Sequence, residues 1–126
     1  MIVYRYLSDK ELELFKNNKV EELGNYFMTN RMINDFKYDN ERYIHFFKDK
    51  KDVLNFQKSE GTYYSFKNFI AWFDIPEKEL GQPYTLKSSK DKTCEEYILL
   101  GKNFNCDWLK GYVAAKEPVK EEELTV

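Results

Sequence analysis

Helix-type and strand-type patterns occupy different parts of this sequence. Residues 8–18 and 49–56 carry apolar side chains at helical spacing, and one further helical turn is indicated at 76–81. The other apolar segments are short, rich in aromatic and β-branched residues, and separated by turns. Strands that follow one another in this way argue against a doubly wound parallel sheet, which alternates strand and helix throughout. The order therefore predicts an α+β fold.

The predicted elements can be bounded from local signals. Ser8 and Glu11 form a capping box that opens the first helix, and Asp49 opens the second. Pro76 and Gly81 bracket the single helical turn. The predicted strands are 2–6, 43–47, 69–75, 84–86, 95–100 and 108–115, with shorter candidates at 26–29 and 63–66 and a loop at 34–40.

The length and the C-terminal composition set the domain organisation. A chain of 126 residues with 42% apolar side chains suits one domain with one core. Pro118 and the three consecutive glutamates at 121–123 disfavour a packed element at the end of the chain. We expect a single α+β domain over residues 1–116 and an acidic flexible tail over 117–126.

Composition also disfavours several classes of function. Twenty basic side chains nearly balance twenty-two acidic ones, so no long-range field favours nucleic acid or an anionic membrane. The sequence contains no apolar run of about 20 residues and no signal-peptide pattern, and two cysteines are too few for a disulfide framework. We therefore expect a cytoplasmic protein without membrane contact. With His45 as the single histidine, a Cys/His zinc site is out of reach, and we expect no metal.

Arg5 is the first candidate site residue. It lies within the first strand between Tyr4 and Tyr6, where a guanidinium flanked by rings suits bidentate capture of phosphate or ribose oxygens. The alternative is an edge-strand arginine that faces solvent or a surface carboxylate.

The segment 43–49, YIHFFKD, is an aromatic strand that runs directly into a helix. Phe46 and Phe47 must point to opposite faces, so one can be core while the other stacks on a flat ligand ring. The alternative is that both rings are buried as packing. His45, between apolar neighbours, is more typical of a hydrogen-bonded structural residue.

Glu95 and Glu96 enter an otherwise apolar strand. Alternation places Glu96 on one face and Glu95 on the other, so one carboxylate lies on a face that the pattern buries. Such a group is costly without a partner or a ligand. The alternative is that both precede the buried part of the strand, at a solvated end.

Lysines and aromatic residues are interleaved at 48–51 and 63–67, a mixture that can bind single-stranded nucleic acid by charge and stacking. Asp49, Asp52 and Glu60 interrupt that charge, and the whole chain is acidic. We therefore expect no nucleic-acid partner.

Taken in order, these features resemble the ADP-ribosyltransferase superfamily, whose split β-sheet binds NAD in a cleft between its two halves. Residues 3–6 (VYRY) lie where that family has a His or Arg on the first strand, and residues 46–49 (FFKD) resemble its strand-to-helix Tyr-Phe-Ala-Asp motif. Residues 96–99 (EYIL) match its late Glu-Tyr-Ile/Val-Val strand, and a final strand follows. The chain departs from the family in three places: no glycine follows Arg5, Phe46 stands at the tyrosine position, and Cys94 replaces the first acid of the Glu-x-Glu pair.

The resemblance implies split antiparallel sheets with two or more helices, and NAD as the bound substrate. Arg5, Tyr6, His45 and Phe46 would contact NAD, with Phe46 stacked on the nicotinamide. Arg5 and Glu96 would be the catalytic residues, and one ADP-ribose unit would pass to an unknown acceptor, which a protein could supply. The alternative is a non-catalytic interaction or inhibitor protein, of a phage or mobile-element type, that acts by binding a protein partner.

Overall fold

In a computed structural model of the chain, residues 1–20, 43–59, 69–87, 93–115 and 120–124 are described. They form six strands: β1 (Ile2–Leu7), β2 (Tyr43–Phe47), β3 (Phe69–Asp74), β4 (Tyr84–Lys87), β5 (Thr93–Leu100) and β6 (Leu109–Ala114). Two helices accompany them: α1 (Asp9–Lys16) and α2 (Lys50–Ser59). The α+β prediction is confirmed. The strands predicted at 26–29 and 63–66 and the loop at 34–40 lie outside the described residues.

The strands form one open antiparallel sheet in the order β4-β5-β2-β1-β3-β6. β1 pairs with β3 from Ile2–Asp74 to Leu7–Phe69, but it meets β2 only at the pair Tyr4–Phe47. The sheet therefore consists of two three-stranded ladders, β4-β5-β2 and β1-β3-β6, joined through a single residue pair.

The predicted capping box starts α1. Ser8 Oγ accepts the Glu11 backbone N–H at 3.2 Å, and Glu11 Oε1 accepts the Ser8 backbone N–H at 3.0 Å. Each contact satisfies a donor that the first helical turn cannot pair internally. The apolar side chains predicted at helical spacing in this helix face inward, because Leu12, Leu14 and Phe15 are all buried.

Two hydrophobic clusters cover the two faces of the sheet. We call them the α1 face and the α2 face, after the helix that contributes to each. Members of the α1 face include Val3, Leu7, Phe15, Phe46, Phe73, Tyr97 and Leu99. Members of the α2 face include Tyr4, Tyr6, Phe47, Val53, Trp72, Cys94 and Leu124. Adjacent residues of β1, β2 and β5 fall into opposite clusters, as the two-residue period of a strand requires.

Two glycines are explained by geometry. Gly81 has a φ of 65° just after the 3-10 turn Glu77–Glu79, so the predicted Pro76–Gly81 turn is confirmed. Gly111 on β6 pairs with Trp72 of β3, and a Cβ at position 111 would lie 2.7 Å from Trp72 Cε2. Gly111 therefore lets the indole lie directly on the edge strand.

The C-terminal segment contains an anchor. Glu121–Glu123 form a 3-10 turn, and Leu124 is fully buried in the α2-face cluster. Three exposed glutamates precede Leu124, so the residue pattern gives no local signal that this apolar side chain reaches the core. None of the helices in the described part of the chain is long and apolar enough to cross a membrane.

Candidate functional site

Glu96 is a buried carboxylate near the middle of the sheet. It is 0% exposed and lies on the α2 face, with Phe47 of β2 and Tyr84 of β4 as its cross-strand neighbours. Its neighbour Glu95 has a side chain that is 44% exposed and binds Lys48 Nζ at 2.9 Å. The sequence left two arrangements open. The structure has the one in which a carboxylate lies on a face that the alternation buries, and this burial costs free energy unless the group has partners.

Both polar neighbours of Glu96 lie at the same oxygen. The Tyr84 hydroxyl donates to Oε2 at 2.8 Å, and His45 Nδ1 lies 3.2 Å from Oε2. The imidazole is within ion-pair distance, but it is not aligned as a hydrogen bond. Oε1 is buried and has no hydrogen-bond partner among the described residues. One oxygen of Glu96 is therefore held by the protein, and the other is buried without a hydrogen-bond partner among the described residues.

The electrostatics of Glu96 follow from these contacts. Burial by itself raises the pKa of Glu96, since it disfavours the charged form. The charge of the adjacent His45, the hydrogen bond from the Tyr84 hydroxyl and the charge of Arg5 act in the opposite direction, and together they hold the pKa below its ordinary value. Glu96 is thus an ionised carboxylate inside the protein at neutral pH.

Arg5 is buried on the α1 face, so the solvent-facing alternative drawn from the sequence is not the arrangement observed. It is 4% exposed, and its Nη2 lies 3.1 Å from Oε2 of Glu11, which is itself 0% exposed. Its Nη1 donates to the His45 carbonyl at 3.1 Å, and the guanidinium lies 5.8 Å from the centre of the Phe15 ring. Arg5 therefore faces neither solvent nor a surface carboxylate. It joins α1 to the main chain of β2.

Phe46 and Phe47 both serve as packing. Phe46 is fully buried on the α1 face, in edge contact with Phe73 at 5.1 Å between ring centres. Phe47 lies on the α2 face against Tyr6, at 6.0 Å, and the Tyr6 hydroxyl donates to the Val53 carbonyl. In this structure the alternative in which both rings are core is the one observed.

The structure divides the predicted site residues between the two faces of the sheet. Tyr6, His45 and Glu96 lie on the α2 face, whereas Arg5 and Phe46 lie on the α1 face. The physical reason is register: Glu96 pairs with Phe47, so Phe46 necessarily points the other way. A single cleft lined by Arg5, Phe46 and Glu96 is not what these side chains form.

Two residues at these clusters were not singled out as site residues from the sequence. Glu11 was identified only through its capping box, and its second oxygen pairs with Arg5. Tyr84 lay in a strand predicted from three residues, with no local signal that its hydroxyl meets a carboxylate. Both contacts depend on how neighbouring elements pack against each other, which periodicity does not report.

Cys94 is a free thiol on the α2 face and is 4% exposed. Burial, followed by the negative charges of Glu96 and Asp52, raises its pKa. A thiol in these surroundings stays protonated and unreactive at neutral pH. Cys106 is also a free thiol, but it is only half-buried.

No metal centre is formed by the described part of the chain, since no three His, Cys, Asp or Glu side chains come together there. Comparison with protein-family models, with curated proteins and with solved structures finds no match. The resemblance to ADP-ribosyltransferases therefore rests on the short sequence motifs alone.

Proposed function

We propose that this chain is a small ADP-ribosyltransferase-like domain that binds NAD or a related nucleotide on the α2 face and transfers one ADP-ribose unit to an acceptor. The observation that carries the proposal is Glu96, a fully buried carboxylate whose Oε1 has no hydrogen-bond partner among the described residues. Such a group destabilises a fold by about 1–3 kcal/mol or more, so its presence calls for a ligand donor.

The positions of the motifs along the fold support the same proposal. Arg5 lies on the first strand, residues 43–47 form a strand that leads into α2, and Glu96 lies on the fifth strand with β6 after it. β1, β2 and β5 are neighbours in the sheet. The two ladders meet at the single pair Tyr4–Phe47, and this narrow junction supports the proposal of a split sheet.

The chemistry that Glu96 can perform follows from its charge and from the oxygen that has no hydrogen-bond partner among the described residues. Oε1 would accept a hydrogen bond from a hydroxyl of the nicotinamide ribose. As the bond between the ribose and nicotinamide breaks, its electron pair leaves with the nicotinamide and positive charge develops on the ribose. A carboxylate fixed in a dry environment stabilises that charge without reorganisation during the reaction.

The proposal changes the roles of two residues. Arg5 acts in the fold, because its guanidinium is bound to Glu11 and to the main chain of β2. Phe46 is core, so a ring that stacks on nicotinamide would have to come from the α2 face, where Tyr6 and Phe47 lie.

An assay with labelled NAD tests the proposal. Wild-type protein should release nicotinamide and carry the label to an acceptor, whereas Glu96→Gln should lose the activity. Glu95→Gln is the matched control, since it removes the adjacent carboxylate, whose side chain is 44% exposed, and it should remain active. Absence of both binding and turnover in wild-type protein refutes the proposal.

The burial of Arg5 and Phe46 favours the second candidate, a non-catalytic protein that binds a partner. On β6, one of the two edge strands of the described sheet, Tyr112 is 40% exposed and Lys16 Nζ lies 4.5 Å from its ring centre. Tyrosine is one of the residues enriched at protein interfaces. Under this alternative Tyr112→Ala abolishes partner binding, and Glu96→Gln leaves it unchanged.

A further inference from the structure

We infer that Tyr84 and His45 are positioning residues that hold Glu96 by Oε2 and thereby keep Oε1 as the acceptor for a single ligand donor. The inference rests on the proposed function and adds to it which residues set the orientation of the carboxylate.

Side chains from two neighbouring strands converge on one oxygen of Glu96. Glu96, Tyr84 and His45 come from three adjacent strands, β5, β4 and β2, and all three side chains lie on the α2 face. The Tyr84 hydroxyl at 2.8 Å and His45 Nδ1 at 3.2 Å both lie at Oε2. Two contacts on one oxygen fix the rotation of the carboxyl plane and so fix where the other oxygen points.

The burial and charge of Oε1 decide which ligand group it can bind. It is inaccessible to solvent and has no hydrogen-bond partner among the described residues, while the carboxylate carries a full negative charge. A buried carboxylate oxygen accepts hydrogen bonds and repels anions. The ligand group at this position must therefore be a donor, such as a ribose hydroxyl, and a phosphate is excluded from it.

Tyr84 and His45 would act through Glu96 and not by touching the ligand themselves. Tyr84 uses its hydroxyl on Glu96, and His45 turns Nδ1 toward Glu96 while its side chain keeps 20% exposure. Loss of either contact should change the state of Glu96 in the ligand-free protein. A residue that merely touched the ligand would leave the free protein unchanged.

The experiment measures the pKa of Glu96 by carboxyl ¹³C chemical shift in ligand-free protein, and NAD affinity by calorimetry. Tyr84→Phe removes only the hydroxyl, so the Glu96 pKa should rise and NAD affinity should fall about tenfold. Tyr112→Phe is the matched control, because it removes a tyrosine hydroxyl bound to Lys16 on the other side of the fold, and both quantities should stay at wild-type values. His45→Gln repeats the test from the other contact and serves in place of Tyr84→Phe if that variant does not fold.

Each outcome decides the inference. An unchanged Glu96 pKa in Tyr84→Phe and in His45→Gln overturns it, and so does a loss of affinity without a change in that pKa. If wild-type protein binds no NAD, the proposed function fails and the ligand half of the inference fails with it. The positioning half is then decided separately, by whether the Glu96 pKa rises in the ligand-free variants.

Discussion

The contact between Arg5 and Glu11 predicts a large and specific loss of stability. Both side chains are nearly inaccessible, at 5% and 0% exposure, and Nη2 and Oε2 are 3.1 Å apart. Arg5→Met breaks the pair and leaves a carboxylate inside the protein. Breaking a buried ion pair from one side costs about 3–5 kcal/mol, since the remaining charge loses its counter-charge without regaining water.

A double-mutant cycle measures the coupling. Glu11→Gln keeps the capping box, because glutamine also serves at that position, but removes the charge. We expect Arg5→Met to lower the free energy of unfolding by about 3 kcal/mol, which in a domain of this size lowers Tm by roughly 10–15 °C. The double variant should lose about 1–2 kcal/mol less than the sum of the single losses. Lys48→Met, from the exposed pair with Glu95, is the control and should leave Tm unchanged.

The measurements are denaturant unfolding and calorimetric melting of the four proteins. If Arg5→Met keeps the wild-type Tm and loses NAD binding, then Arg5 serves the ligand and not the fold, and the structural role assigned to it is refuted. Additive losses in the cycle would equally contradict a direct interaction between Arg5 and Glu11.

Three further changes have defined outcomes. The pKa of Glu96 lies below its ordinary value of 4.5, so its contribution to stability is complete above pH 4.5 and is lost as pH falls below that value. The free energy of unfolding, measured against pH, should therefore fall less steeply below pH 4.5 in Glu96→Gln than in wild-type protein. Gly111→Ala forces a Cβ into the indole of Trp72 and should lower the free energy of unfolding by about 1–3 kcal/mol. Gly81→Ala has open space but a φ of 65°, and it should lower the free energy of unfolding by about 1 kcal/mol. Equal losses for the two variants in chemical denaturation would refute the packing argument. Leu124→Ala should cost about 2–5 kcal/mol and speed amide exchange in α2, and a wild-type melting curve would show that the tail is not anchored.

Local signals predicted much of the fold. The capping box at Ser8, the turn between Pro76 and Gly81, and the strands that carry Arg5 and Glu96 all follow from residue type and spacing over a few positions. The segregation of the helices to the first part of the chain was enough to predict an α+β sheet.

The candidate site was less predictable, because it depends on contacts between distant segments. Alternation shows that Phe46 and Phe47 point to opposite faces, but only the pairing of Phe47 with Glu96 decides which ring shares a face with the carboxylate. In the same way, a cation on β1 cannot be assigned to a ligand or to Glu11 until α1 is packed on the sheet. A register change of one residue reverses every such assignment.

The central claim is that Glu96 receives NAD on the α2 face, and calorimetric titration of NAD into wild-type protein and Glu96→Gln tests it most directly. We predict a one-to-one isotherm for wild-type protein. The NAD affinity of Glu96→Gln should be at least about tenfold weaker, as expected when a charged hydrogen-bond acceptor is lost. An identical isotherm for both proteins, or no heat of binding for wild-type protein at millimolar NAD, would contradict it.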